Sequence, residues 1–322
     1  MNKKIFEKIL REFIQEPHII SFSEPDEGVA NDVYRIETED KNMYIKFYDP
    51  LFESWKPRKE AAVISLLNEK TDLPVPKLLF FSENKKFIDR TYIIMEELKG
   101  KSYSEIRENL TEKERISILE KSAVCLAKMH SIEFDSFGDF YLEDNKIKVS
   151  EFHLLKSGPF DQWKDAFLKM LYLKLNVLNS KGVFSKYVPD MLNFIEQRKN
   201  LLDGYFKPVF NHIDFNPTNV LINNNEIGGL IDFEWSQVGH NKMELTTVDN
   251  NGWFTSDRER EAFRKTYFSI IPYVEENKER IKLYRLNQLI EDLFSFDELP
   301  KTEKANAKFK KQLLRIEDLL YA

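Results

Sequence analysis

The stretch His212-Ile213-Asp214-Phe215-Asn216-Pro217-Thr218-Asn219, followed after a short apolar run by Ile231-Asp232-Phe233-Glu234, restricts this chain more than any other. Pro208-Val209-Phe210 reads as a brief strand leading into it. Asn216-Pro217 stops any helix, because the residue before a proline is pushed out of the α region. Asp214 therefore belongs on a loop. Val220-Leu221-Ile222 and Leu230-Ile231 are apolar arms around the polar turn Asn223-Asn224-Asn225, which reads as a β-hairpin. With Ile222 opposite Gly229, an antiparallel register sets Asn219 opposite Asp232, with Cβ atoms about 4.5–5.5 Å apart. Two oxygen donors at that spacing suit one hard divalent cation such as Mg²⁺, with waters and phosphates completing its shell. Asp214, a few residues upstream, is placed to accept a proton from, or to orient, a hydroxyl attacking a γ-phosphoryl group. Taken singly, an Asp or Asn on a turn usually closes the loop through its own backbone. Spacing, turn chemistry and register together point to metal-assisted phosphoryl transfer.

The remaining chain divides by pattern. Residues 3–14 place Ile5, Phe6, Ile9, Leu10 and Phe13 on one helical face. Strand-like segments rich in Ile, Val, Tyr and Phe follow near 18–23, 31–38, 42–48, 77–82 and 91–97. Their short polar turns predict an antiparallel sheet. Between the third and fourth, Pro57 opens a helix to about Lys70, with Val63, Leu66 and Leu67 as its buried stripe. After Met95 helical patterns dominate, so a lobe boundary falls near 96–103. Thr111-Glu112-Lys113-Glu114 is a capping box for a helix through His130. Further helices are expected from about Asp161, over 187–201, and near 257–268, 275–295 and 302–320.

With 322 residues, 42% of them hydrophobic, the chain is long enough for a sizeable core. Lys and Arg total 48 against 54 Asp and Glu, and no long basic block is present, so nucleic acid is not an expected partner. Cys125 stands alone and cannot form an internal disulfide, which fits a reducing compartment. The N-terminal Met1-Asn2-Lys3-Lys4 leads into no uninterrupted apolar segment of the kind a signal peptide needs. The longest apolar runs, such as Leu78-Leu79-Phe80-Phe81, are too short to span a bilayer. A cytoplasmic protein without a membrane partner is expected.

His212-x-Asp214-x4-Asn219 followed by Ile231-Asp232-Phe233-Glu234 resembles the aminoglycoside phosphotransferase and choline kinase family, small-molecule kinases with a protein-kinase-like fold. The resemblance implies a bilobal α+β architecture. Residues 1–96 would form a small antiparallel-sheet, nucleotide-binding N-lobe, and 97–322 a larger, mainly helical catalytic and substrate-binding C-lobe. Tyr44-Ile45-Lys46-Phe47 is similar to the strand whose lysine contacts nucleotide phosphates, and Glu60 to its ion-pair partner. Leu73-Pro74-Val75-Pro76 matches the segment after that helix, and Leu126-Ala127-Lys128-Met129-His130 a helical marker of the larger lobe. Met95-Glu96-Glu97-Leu98-Lys99-Gly100 resembles the hinge, which would set Glu96 and Leu98 against adenine. Mg²⁺ with ATP is implied, GTP remaining open.

The chain departs from the family in two places. No glycine-rich GxGxxG is present; only Gly28 stands in Glu27-Gly28-Val29-Ala30-Asn31-Asp32, so phosphates would meet backbone amides and the Asn31 side chain. After Gly239, His240-Asn241 and Glu244 replace the family's Asp-Pro and Asp. Glu244 would then brace the catalytic loop, with His212 holding it by hydrogen bonds and His130 packed in the core. Glu234, Asp249, Trp253, Glu291 and Asp292 are candidates to line an acceptor site, Trp253 and Glu234 being the first choices. The expected acceptor is a small, hydroxylated molecule of the aminoglycoside kind. Choline, homoserine, a methylthio-sugar or a sugar amine are alternatives, as is a nucleotide-binding pseudokinase, against which the joint presence of Lys46, Asp214, Asn219 and Asp232 argues.

Overall fold

A computed structural model describes residues 1–24, 31–51, 54–143, 146–180, 182, 184–294 and 302–321. The fold is α+β and kinase-like. Helix α1 (Lys3–Leu10) buries Phe6, Ile9 and Leu10. It ends four residues earlier than its periodicity predicts; Phe13, beyond it, stacks on Phe80 instead. Strands β1 (Ile19–Ser23), β2 (Asp32–Thr38) and β3 (Asn42–Phe47) precede helix α2 (Lys56–Lys70), and β4 (Leu78–Ser82) and β5 (Tyr92–Glu96) follow it. The five strands form one antiparallel sheet in the order β1-β2-β3-β5-β4. Alternation sets the two faces of β3. Met43, Ile45 and Phe47 join the outer core with α1, whereas Lys46, between two of them, points the other way.

The chain continues through β6 (Lys101–Ser102), α3 (Tyr103–Ile106), α4 (Glu112–His130), β7 (Gly138–Glu143), β8 (Lys146–Ser150), α5 (Trp163–Ser180) and α6 (Val188–Arg198). It then forms β9 (Val209–Asn211), β10 (Val220–Asn223), β11 (Glu226–Leu230) and β12 (Gln237–Gly239). Helices α7 (Asn241–Val248), α8 (Asp257–Ile270), α9 (Lys278–Phe294) and α10 (Glu303–Tyr321) complete it. The Thr111 capping box is formed in full: Thr111 Oγ1 accepts the Glu114 N–H at 3.3 Å, and Glu114 returns a carboxylate oxygen to the Thr111 N–H at 2.9 Å.

Sequence patterns miss β7 and β8, which join β12 and β9 in a four-stranded sheet of order β8-β7-β12-β9. Residues on both sides of position 96 share one hydrophobic core, in which Val63, Leu67 and Ile93 pack with Leu119, Leu126, Phe210 and Phe215. That common core holds α2 and the β10–β11 hairpin at fixed positions around the site. Among the described residues no helix is long and apolar enough to cross a membrane.

Candidate active site

The loop after β9 is shaped by one buried carboxylate. Glu244, in the first turn of α7, accepts the Ile213 N–H at 2.6 Å, the His212 N–H at 3.0 Å and His130 Nε2 at 2.7 Å. His130 Nδ1 in turn meets the Tyr267 hydroxyl at 2.7 Å. These bonds hold Ile213 at φ 71°, a conformation that a β-branched residue adopts only when its surroundings impose it. Beyond this bend, the Asp214 carboxylate accepts the amide N–H groups of Asn216 at 2.6 Å and Asn219 at 2.9 Å. Burial pushes its pKa above the ordinary carboxylate range; His212 opposes the shift and Asp232 adds to it. His212 Nε2 donates to the Ile231 carbonyl at 3.1 Å, tying loop to hairpin, while its Nδ1 is buried without a partner among the described residues.

The hairpin differs from the expected register by one residue. Val220 pairs with Leu230 and Leu221 with Gly229; an irregularity then brings Ile222 opposite Ile227, leaving Gly228 as the extra residue. Asn224 and Asn225, at φ 51° and 62°, make a two-residue turn. Gly228 is required where it stands, because a Cβ there would lie 2.2 Å from the Lys99 carbonyl oxygen. Asn219 therefore faces Ile231, whose N–H it accepts at 3.1 Å, and not Asp232. Asp232 is turned into the site by its own positive φ of 67°.

Strand β3 and helix α2 bring the opposing charges. Lys46 Nζ lies 2.8 Å from Glu60, 2.9 Å from Asp232 and 3.0 Å from Glu234. Burial works against the lysine's charge, but the three carboxylates hold its pKa well above the usual value. Burial also raises Glu60, against the pull of Lys46, and the Tyr48 hydroxyl donates to it. Glu234 receives Lys56 at 2.7 Å and the Asn31 amide at 2.7 Å. Burial alone would raise Glu234, yet Lys46 and Lys56 hold it at about 2. Oxygens of Glu60, Asp232 and Glu234 lie within 4.8 Å of one another, but Lys46 already bridges all three. A cation is better matched by Asp232, which is partly exposed, and by Asn219 Oδ1, because the Asn219 nitrogen is committed to Asp214.

Two expectations are corrected here. Glu234 is a buried ion-pair partner in this cluster, so it cannot line an acceptor site. Asn31 spends its amide nitrogen on Glu234 and its oxygen on the Asp49 N–H at 3.4 Å, which leaves neither directed to phosphate. Gly28 lies outside the described residues. Lys56, missed from sequence, had a signal: α2 has no acid in its first turn and carries Lys56, Arg58 and Lys59 there, against the helix dipole. Two of these cations are spent on buried carboxylates, Lys59 meeting Asp139 at 3.0 Å. In the connecting segment, the N–H groups of Glu96 and Glu97 bond the carbonyls of Lys77 and Asn42, so Glu96 has only its carbonyl to offer adenine.

Trp253 is also corrected. It is 1% exposed, stacks between Tyr103 and Phe215, and donates its indole N–H to the Phe215 carbonyl at 3.1 Å. It supports the Asp214 loop from beneath and cannot touch an acceptor. Asp249 is paired with Arg264 at 2.6 Å. Glu291 and Asp292 do line a cavity of about 840 Å³ that opens beside Asp214. Trp55 and Trp235 line the same cavity, a role with no signal in the sequence; Lys56 Nζ sits 3.7 Å from the centre of the Trp235 ring.

A family model described as the phosphotransferase enzyme family matches residues 21–284. No curated protein matches the chain. Among solved structures, a thermostable mutant of aminoglycoside phosphotransferase APH(4)-Ia, in ternary complex with AMP-PNP and hygromycin B, superposes with a TM-score of 0.68 at 14% identity, covering 98% of this chain and 97% of that one. A candidate fructosamine-3-kinase from Haemophilus somnus 129PT gives 0.69 at 17% identity, covering 97% of each chain. The gentamicin complex of APH(2")-IIa gives 0.62 at 19% identity, covering 99% of this chain and 96% of that one. At these identities the structures share the fold.

Proposed function

The chain belongs to the phosphotransferase enzyme family, and from that membership we infer that it moves the γ-phosphoryl group of ATP to the hydroxyl of a small, amino-bearing molecule. The observation that carries this is the convergence of Lys46, Glu60 and Asp232 within 2.9 Å contacts, beside an Asp214 carboxylate held by Asn219. Residues 1–96 act as the nucleotide lobe and 97–322 as the catalytic lobe. Lys46, oriented by Glu60, binds the nucleotide phosphates, with the Glu96 carbonyl and Leu98 N–H facing adenine. Asn219 and Asp232 would hold Mg²⁺, which when bound would neutralise charge on the phosphates. The acceptor oxygen forms a bond to the γ-phosphorus as the bond from that phosphorus to the ADP oxygen breaks. The hydroxyl proton passes to Asp214, whose raised pKa brings it nearer the working range of a base.

The acceptor is supported by the cavity that opens beside Asp214 and by the hygromycin B and gentamicin complexes of similar folds. Purified protein is incubated with Mg²⁺ and ATP, or GTP, against kanamycin, choline, homoserine and glucosamine. Phosphorylated acceptor formed with an equal amount of ADP is the expected result. Nucleotide binding without transfer to any hydroxyl, in this panel or a wider one, would replace the enzyme by a nucleotide-binding module.

A further inference from the structure

Helix α5 is apolar on two faces. Trp163, Phe167, Leu171, Leu175 and Leu178 are buried in the core of the C-terminal half. A second stripe, Met170, Leu173 and Val177, recurs at helical spacing on another face and lines the cavity that contains Asp214. Leu173 is 36% exposed and Val177 40%, and the neighbouring wall residue Leu154 is 57% exposed. A helix on the surface of a domain normally keeps one apolar stripe and turns polar side chains outward. A contiguous open apolar wall beside a reactive group marks a binding surface.

The charged residues of the same cavity are largely spent within the protein. Lys59 is paired with Asp139, Lys174 with Glu291, and Gln312 donates to Asp292 at 3.0 Å. Burial also raises Asp292 above the ordinary carboxylate range. A polycation would find few uncompensated carboxylates there and would bring several ammonium groups against hydrocarbon, at a desolvation cost.

Resting on the phosphotransferase function inferred above, we propose that the acceptor is an amphipathic alcohol: its hydroxyl lies at Asp214 and an extended apolar body lies along Met170, Leu173 and Val177. The seven steps from Met170 to Val177, at 1.5 Å rise each, make the stripe about 10 Å long, which sets the length of that body. The wall takes the acceptor, and not a second copy of the chain, because it is continuous with Asp214 in one cavity. The chemistry is unchanged: the acceptor O–P bond forms, the P–O bond to ADP breaks, and the proton goes to Asp214.

The test uses aminoethanol, aminobutanol, aminohexanol and aminooctanol, with kanamycin as the polycation. Calorimetry with the 322-residue chain, AMP-PNP and Mg²⁺ gives Kd, and turnover with ATP gives kcat/KM. Each methylene that reaches the stripe should tighten Kd by up to ~4-fold, and aminooctanol should bind better than kanamycin. The double substitution Leu173→Asp and Val177→Asp should flatten the dependence on chain length; Leu173→Gln should reduce it and serves if the double variant does not fold. Equal Kd across the series in the parent protein, or tighter binding of kanamycin, overturns the proposal. Graded binding without phosphorylation would keep the apolar subsite and remove the transferase function. Phosphorylation without the gradient would do the reverse, and a change of oligomeric state in the double variant with no loss of gradient would assign the stripe to a second copy.

Discussion

The two walls of the site are built on opposite terms. Around Lys46 the charges are answered, and all but Asp232 are buried: Glu60, Asp232 and Glu234 share one ammonium, and Lys56 and Asn31 complete Glu234. Along α5 the apolar side chains of Leu173 and Val177 are substantially open to solvent. The charged wall is part of what holds the molecule together, because α2, β3 and the segment after β11 meet there. The apolar wall adds little to the fold and is available to bind. Substitutions on the first should therefore cost stability and turnover together, and substitutions on the second should change acceptor affinity alone.

The sharpest break of that contrast is Lys46→Ala. It strands buried carboxylates, so a loss of about 3–5 kcal/mol in stability is expected, with a fall in turnover on the order of 10²–10³. Denaturant titration and steady-state kinetics check both; a fully stable but inactive variant would show that the cluster serves catalysis only. Glu244→Gln comes next. It keeps the shape but gives up one of two accepting oxygens, leaving a buried N–H of the loop unanswered at about 1–3 kcal/mol, and turnover should fall as Asp214 loses its position. Unchanged kinetics would mean that the bend at Ile213 does not depend on this carboxylate.

Glu234→Gln adds a pH axis. Glu234 titrates at about 2 in the folded protein and at about 4.3 when unfolded. Its folded pKa is depressed, so its contribution is fully present above the unfolded value and disappears as pH falls from about 4 to about 2. The stability gap between parent and variant should be constant at neutral pH and close over that acid interval. A gap that persists at the acid end would place the effect in packing. The smallest effect is that of Leu173→Asp, expected within about 0.5 kcal/mol of the parent in stability, with a weaker acceptor KM.

The same contrast decides what could be read from the amino-acid sequence. Lys46, Glu60, Asp214, Asn219 and Asp232 are polar residues at fixed distances from strand, turn and helix signals, and the structure brings them together. The hairpin was legible but its register was not, because the extra residue at Gly228 answers to the close approach of Lys99, which no local pattern announces. Trp253 and Glu234 looked like acceptor residues by type; burial under Phe215 and pairing with two lysines are tertiary facts. Strands β7 and β8 are short and stand among helices, and their importance lies in Asp139, which anchors Lys59 from a distant segment. The second α5 stripe is not legible in the sequence, because Met, Leu and Val at helical spacing are what any core helix shows.

Asp214→Asn separates proton transfer from nucleotide binding. The amide preserves the shape of the side chain and removes its capacity to accept a proton. Phosphoryl transfer is measured by product formation with an accepted alcohol, and ATP affinity by calorimetry in the same preparation. A fall in kcat of about 10²–10⁴ is expected, with ATP affinity nearly unchanged. Turnover close to that of the parent protein would contradict it.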